Sequence, residues 1–185
     1  MKDEFFVSID VESDGPIPGD NSMLSFGAVA LSQDGKILGK FSRNLELLEG
    51  AKPNPDTMDF WAKNKEAWDA TRKNTIAPSL AMQQFVDWVN KIPGRPALIG
   101  YPITYDFMFV YWYIMKFVGK SPFSHSGLDI KTYAMAMLKG NYRDSTKKHM
   151  PRRWFPNVKH THIAEDDALE QGLLFINMLK ENLAK

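Results

Sequence analysis

Apolar and polar positions alternate with two different periods along the 185-residue chain. FFVSIDV (Phe5–Val11) is a short β-rich run, stopped by the turn-forming stretch SDGPIPGD. MLSFGAVALS (Met23–Ser32) reads as a second strand. QDGK (33–36) carries an Asp-Gly hairpin signal, and ILGKFSRNLEL (Ile37–Leu47) returns as a third strand. Three antiparallel strands joined by hairpins is the economical reading.

The period then lengthens. Asp56 can cap a helix bearing Met58, Phe60 and Trp61, with Trp61 expected in the core. APSLAMQQFVDWVNKI (Ala77–Ile92) repeats Leu80, Phe85, Trp88, Val89 and Ile92 at helical spacing, with Ser79 as its expected cap. PALIGY (Pro96–Tyr101) is a short buried strand, and Thr104–Gly119 is apolar almost all round, as a buried helix is. Gly127–Ile130 is a last short strand before a helix ending at Gly140. A final helix runs from about Ile163 to Leu183. This order, βββ and then helices alternating with short strands, predicts an α/β fold with a mixed sheet covered by helices. No internal boundary or repeat divides residues 1–185, so a single domain is expected.

Composition narrows the chemistry. Hydrophobic residues make up 44% of the chain and aromatic residues 12%, enough for a sizeable core. The absence of cysteine excludes disulfides, thiolate nucleophiles and zinc–sulfur sites. No apolar run nears the roughly 20 residues needed to span a bilayer. The acidic start MKDEFF is unlike a signal peptide, so a cytoplasmic location is expected.

The net charge of +1 conceals an asymmetry. Between Lys139 and His160 seven basic residues face one acid, Asp144, for a net +6. That leaves 16 basic against 21 acidic residues elsewhere, or −5. An anion-binding segment on an acidic body is one reading of this, and a solvated lysine-rich loop the other.

Within the acidic body a few residues stand out. Asp10 and Glu12 lie two apart on the first strand and so share one face, opposite Val7, Ile9 and Val11. Two such carboxylates can hold a divalent ion, or be a plain solvent-facing pair. Asp106 opens an otherwise apolar helix, where the helix dipole alone would favour an acid. Asp166 and Asp167 open the last helix, with His162 just upstream and His160 a rival to it. Histidine is suited to moving protons near neutral pH.

Taken together, DVE early, YD mid-chain and H-x-A-x-x-D-A on the last helix resemble the three exonuclease motifs of the DnaQ-like superfamily, in its DEDDh branch. The resemblance runs from Asp10 to Asp167 and implies a ribonuclease H-like fold. It implies that Asp10, Glu12 and Asp167 hold one Mg2+ or Mn2+. Asp10, aided by Asp106, would reach a second. His162 would be the general base. Two ions about 4 Å apart would stabilise the attacking and leaving oxygens of an in-line displacement. The implied reaction is 3′→5′ hydrolysis of single-stranded nucleic acid to nucleoside 5′-monophosphates, with RNA slightly favoured over DNA. The segment MDFWAKNKEAW is similar to a subgroup of small bacterial and phage exoribonuclease-like proteins.

Substrate contacts are expected from Ser13, Ile17 or Leu24 (as a wedge against the terminal base), Tyr101, Phe107, and the basic Lys147, Lys148, Arg152 and Arg153. Trp154, Phe155 and His149 could stack bases or pin the loop. Relatives of this kind often form homodimers, so a homodimer is an option. A DNA proofreading or repair enzyme, or a non-catalytic nucleic-acid-binding module of the same fold, are the alternatives. The chain departs from the family pattern at Ser13, Asp14, Pro16 and Pro102.

Overall fold

The computed structural model describes residues 3–158, 161 and 163–184. Strands β1 (Glu4–Ser13), β2 (Met23–Ser32) and β3 (Ile37–Asn44) form the expected antiparallel meander. Short helices α1 (Pro55–Lys63) and α2 (Lys65–Thr71) lead to α3 (Pro78–Lys91). Then come β4 (Arg95–Gly100), α4 (Ile103–Phe117), β5 (Leu128–Asp129), α5 (Ile130–Leu138) and α6 (Ala164–Leu183). The sheet order is β3-β2-β1-β4-β5, with β4 parallel to β1 and β5 parallel to β4. The α/β expectation therefore holds.

Alternation along β1 divides the core in two. Val7, Ile9 and Val11 face α3 and α4, packing with Phe85, Phe109 and Tyr113. Phe6 faces the other way, into a cluster with Phe175, Trp154 and Met178. Asp10 and Glu12 continue that second face, as period-2 geometry requires.

Several ends differ from the sequence reading. Asn54, not Asp56, caps α1: its Oδ1 accepts the Thr57 N–H at 3.1 Å, and Pro55 takes the first helical position. Ser79 lies inside α3, because Pro78 starts that helix after Ala77. β3 stops at Asn44, where the chain turns and Asn44 Nδ2 donates to the Ala70 and Lys73 carbonyls. α5 ends at Leu138, with Lys139 rather than Gly140 taking the left-handed cap conformation (φ 52°).

The strand and helix lengths decide where a site can form. β1 pairs with β4 only as far as Ser8↔Ile99, so its last residues run on past the end of β4. The edge groups left open there are taken up by side chains. Gln171 Nε2 donates to the Ile9 carbonyl at 2.6 Å, and Val11 N–H donates to Asp106 Oδ1 at 3.0 Å. These two bonds bring α6 and α4 to the end of β1. In open α/β sheets such a divergence at strand C-termini is where ligands bind.

Gly27 lets α6 come that close. It sits opposite Asp10 in the β1–β2 register. A Cβ on it would lie 2.2 Å from the Glu165 amide nitrogen and 2.3 Å from the Ala164 carbonyl carbon. Both are backbone atoms, so the first turn of α6 would have to lift. Gly27→Ala should destabilise the protein by about 2 kcal/mol or more and depress activity beyond what that loss explains. Val86→Ala, on the buried face of α3, should cost a similar amount through its cavity yet spare the rate. Denaturant melts with steady-state rates for both variants test this, and an active, stable Gly27→Ala protein refutes it.

Candidate active site

Three of the predicted acids converge. One carboxylate oxygen each from Asp10, Glu12 and Asp167 lies within 4.8 Å of the others. Asp10 and Glu12 come from the end of β1, and Asp167 from the buried side of the first turn of α6. Asp106, buried in the first turn of α4, stands beside them, close enough to feel the charges of Asp10 and Glu12. Asp166, the rival ligand, takes no part in the trio: its Oδ2 accepts the Thr161 hydroxyl at 3.0 Å. Asp167 Oδ1 also accepts the Thr161 N–H, at 3.0 Å. His162 and its rival His160 lie outside the described residues.

Crowding these carboxyls is electrostatically costly. Burial first, and then the Asp167 charge, push Asp10 up to about 7, with Lys147 pulling the other way. Burial and the charges of Asp10 and Asp167 push Glu12 up to about 8. Asp106 is held well above the usual carboxylate range by burial and Asp10, against the Val11 hydrogen bond. An all-oxygen donor set that resists ionising alone suits hard divalent cations such as magnesium or manganese.

A fifth carboxylate was missed in the sequence. Glu170, three residues after Asp167 and so on the same side of α6, is neutralised by Lys147, whose Nζ lies 2.5 Å from Glu170 Oε2. The Lys147 backbone N–H donates to the Tyr101 hydroxyl at 3.1 Å, and its ammonium lies 5.4 Å from the centre of that ring. Lys147 and Tyr101 therefore anchor the basic segment to the site.

The other expected substrate contacts divide. Leu24 is wholly buried and cannot wedge against a base, whereas Ile17 is 53% exposed on the turn after β1. Ser13 is buried, its hydroxyl donating to the Gly15 carbonyl at 2.8 Å and lying 2.6 Å from the Tyr105 hydroxyl. Phe107 turns to the outer side of α4 and stacks on Tyr111, ring centres 5.2 Å apart. Lys148 and Arg152 are exposed. Arg153 instead forms a two-point pair with Glu181, at 2.8 Å on both oxygens. That is 14 residues along α6 from Asp167, or about 21 Å at 1.5 Å per residue, so Arg153 is remote from the carboxylates.

Trp154 is core, with Nε1 donating to Glu181, and Phe155 packs beside it, so both pin the segment. Trp61 is core too, its Nε1 donating to the Ser13 carbonyl at 2.9 Å. Asp14 is buried and accepts the Ser22 N–H at 2.6 Å, closing the turn after β1. A groove of about 420 Å³ opens beside Glu12, lined by Asp56, Thr57, Phe60 and Tyr105 among others.

The chain is 30% identical over 179 residues to the 3′–5′ DNA exonuclease Cap18 of Escherichia coli, covering 93% of this chain and 90% of that protein. It belongs to the DnaQ-like family of 3′→5′ exonucleases. No protein-family model matches it. The nuclease domain of 3′hExo, a DEDDh family member bound to rAMP, superimposes with a TM-score of 0.70 at 11% identity, over 97% of this chain and 93% of that one. S. pombe Pop2p in its Mg2+- and Mn2+-bound form gives 0.64 at 14% identity, over 92% and 81%. The E. coli exonuclease I–ssDNA complex with zinc gives 0.66 at 14% identity, over 99% of this chain and 40% of that one.

These folds are ribonuclease H-like, as this one is. This DnaQ-like chain is a 3′→5′ exonuclease, and its three converging carboxylates could hold a divalent ion. Among the described residues no helix is long and apolar enough to cross a membrane.

The raised carboxyls have a pH consequence. Asp10 and Glu12 bind protons more tightly folded than unfolded. Their stabilising contribution is therefore complete below the ordinary carboxylate range, near pH 4. It is lost as pH rises through about 7 and about 8. The thermal midpoint of metal-free protein should fall between about pH 5 and pH 8. Added Mn2+ should raise it more at the upper end, since ligation displaces those protons. Calorimetry with and without metal measures both effects, and a metal shift equal at the two pH values would contradict this.

Proposed function

We propose that the protein removes nucleotides from the 3′ end of single-stranded DNA by a two-ion mechanism. The observation that carries this is the convergence of Asp10, Glu12 and Asp167 within 4.8 Å, with Asp106 alongside. The choice of DNA is supported by the E. coli relative, a DNA exonuclease at 30% identity.

Two bound divalent ions would polarise the scissile phosphate and stabilise the attacking and leaving oxygens. Asp10, Glu12 and Asp167 would hold one ion, and Asp10 with Asp106 the other. The Val11 N–H and the Thr161 N–H fix the rotamers of Asp106 and Asp167, so these carboxylates are oriented before metal arrives. Lys147 keeps Glu170 from acting as a stray ligand. The 3′-terminal nucleoside enters the groove beside Glu12, where the exposed Phe60 offers a stacking face. Ile17 stands on the adjoining turn. Lys148 and Arg152 attract the strand. His162, five residues before Asp167, takes the proton from the attacking water, and the released product is a nucleoside 5′-monophosphate.

A 5′-labelled oligodeoxynucleotide with Mg2+ should shorten in single steps from its 3′ end. Asp10→Ala should slow this by about 100-fold or more, and His162→Ala should slow it while leaving Mn2+ binding intact. DNA should be cut faster than the matched RNA strand. Faster RNA cleavage overturns the DNA assignment, and an equally active Asp10→Ala protein overturns the mechanism.

A further inference from the structure

A second polar groove, of about 510 Å³, follows the outer edge of the sheet. Lys40, Ser42 and Arg43 of β3, Trp88 and Lys91 of α3, and Glu165 of α6 wall it. Its three cations face two acids. Glu165 is paired with Lys40 at 3.5 Å, with both side chains over a third exposed, which makes a weak pair. Asp87 accepts from Gln83 at 3.0 Å.

Arg43 is held in place. Its Nε donates to Gln84 Oε1 at 2.8 Å, its Nη1 to the Ser42 carbonyl at 2.6 Å, and its guanidinium lies 4.6 Å from the centre of the Phe41 ring. None of these hydrogen bonds uses Nη2. A fixed guanidinium fork beside a half-buried tryptophan and an exposed lysine suits phosphate and base together. The apolar hollow on α4, lined by Phe107, Met108 and Trp112 among others, has no such chemistry to say what covers it.

The groove wraps the edge of the sheet: Lys40 and Ser42 share the face of Asp10 and Glu12, and Phe41 and Arg43 share the face of Val11. A smaller hollow of about 150 Å³ shares Ser42 with it and extends past Asn44 and Ala164 to Ser25. Ser25 is opposite Glu12 in the β1–β2 register, and Glu165 is two residues from Asp167. With strands about 4.8 Å apart, β3 lies roughly 10 Å from β1, a short step for a nucleic-acid strand. The groove beside Phe60 is on the other side of Glu12, among residues of α1 and α4. A strand with its 3′ nucleoside there could run from the carboxylates past Ser25 and Ser42 and over the β3 edge.

We infer that the β3–α3 edge groove is a second binding surface for the substrate strand. The backbone phosphates on the 5′ side of the cleaved bond lie across Lys40, Arg43 and Lys91, and a base packs on Trp88. This rests on the exonuclease reading above.

The test compares a dodecamer with a dinucleotide too short to reach the groove, using an Arg43→Ala/Lys91→Ala double variant. For the dodecamer KM should rise about 10-fold with kcat unchanged, and the dinucleotide should be unaffected. The slope of log kcat/KM against log salt should flatten by about 1.4, at roughly 0.7 per lost cation on a single strand. Because Arg43 also packs on Phe41, Lys91→Glu repeats the test without touching the sheet. An equal loss on both lengths, or no loss on the dodecamer, overturns the inference. A wild-type protein that cuts neither length defeats the exonuclease reading instead. Fluorescence anisotropy of a labelled dodecamer then decides the groove: weaker binding by the double variant supports it and equal binding overturns it.

Discussion

The close seating of the first turn of α6 on Gly27 is the contact on which the site depends. Asp10 lies on the strand beside Gly27, directly across the register, and Asp167 belongs to the helix lying on top. With no side chain between helix and sheet, carboxylates 157 residues apart in sequence come within ligand distance. Two further features hold α6 at that height. Gln171 bonds the Ile9 carbonyl, and Gly172 meets Ser8, where a Cβ would lie 2.8 Å from the serine Cβ. Small residues and one buried amide thus fix the position of α6 more tightly than apolar packing, which tolerates volume-conserving changes.

The same closeness creates the site's electrostatic problem. Burial and mutual repulsion hold Asp10, Glu12 and Asp106 above their ordinary range, so the fold keeps a cluster that becomes less favourable as it ionises. A divalent cation held there would relieve that repulsion and couple its binding to stability and to proton release. Lys147 does part of this work internally by neutralising Glu170. Fixed hydrogen bonds hold the Asp106 and Asp167 carboxylates in place.

Much of this was legible in the chain. The meander of β1–β3 followed from strand alternation and one Asp-Gly turn, and β2 has the expected bounds. Of the two adjacent acids that open α6 only one can face the sheet: Asp167 joins Asp10 and Glu12, and Asp166 does not. Substrate contacts were harder to read, because an exposed side chain and an engaged one look alike in sequence. Arg153 and Lys147 sit in the same basic run, yet one is tied to Glu181 near the end of α6 and the other to Glu170 beside the site. Leu24 could serve as a wedge by type, but β2 is the central strand of the meander and buries it fully. Gly27 did carry a signal, since a glycine inside a strand marks close approach.

Periodicity and residue chemistry are local properties, so the α/β class, the order of the elements and the candidate acids other than Glu170 could be read along the chain. Which acids meet, which cations are engaged by Glu170 and Glu181, and where the grooves run beside Glu12 and along β3 came only with folding. These depend on the length by which β1 outruns β4 and on the height of α6 above the sheet, and both arise only from contacts between residues far apart in the chain.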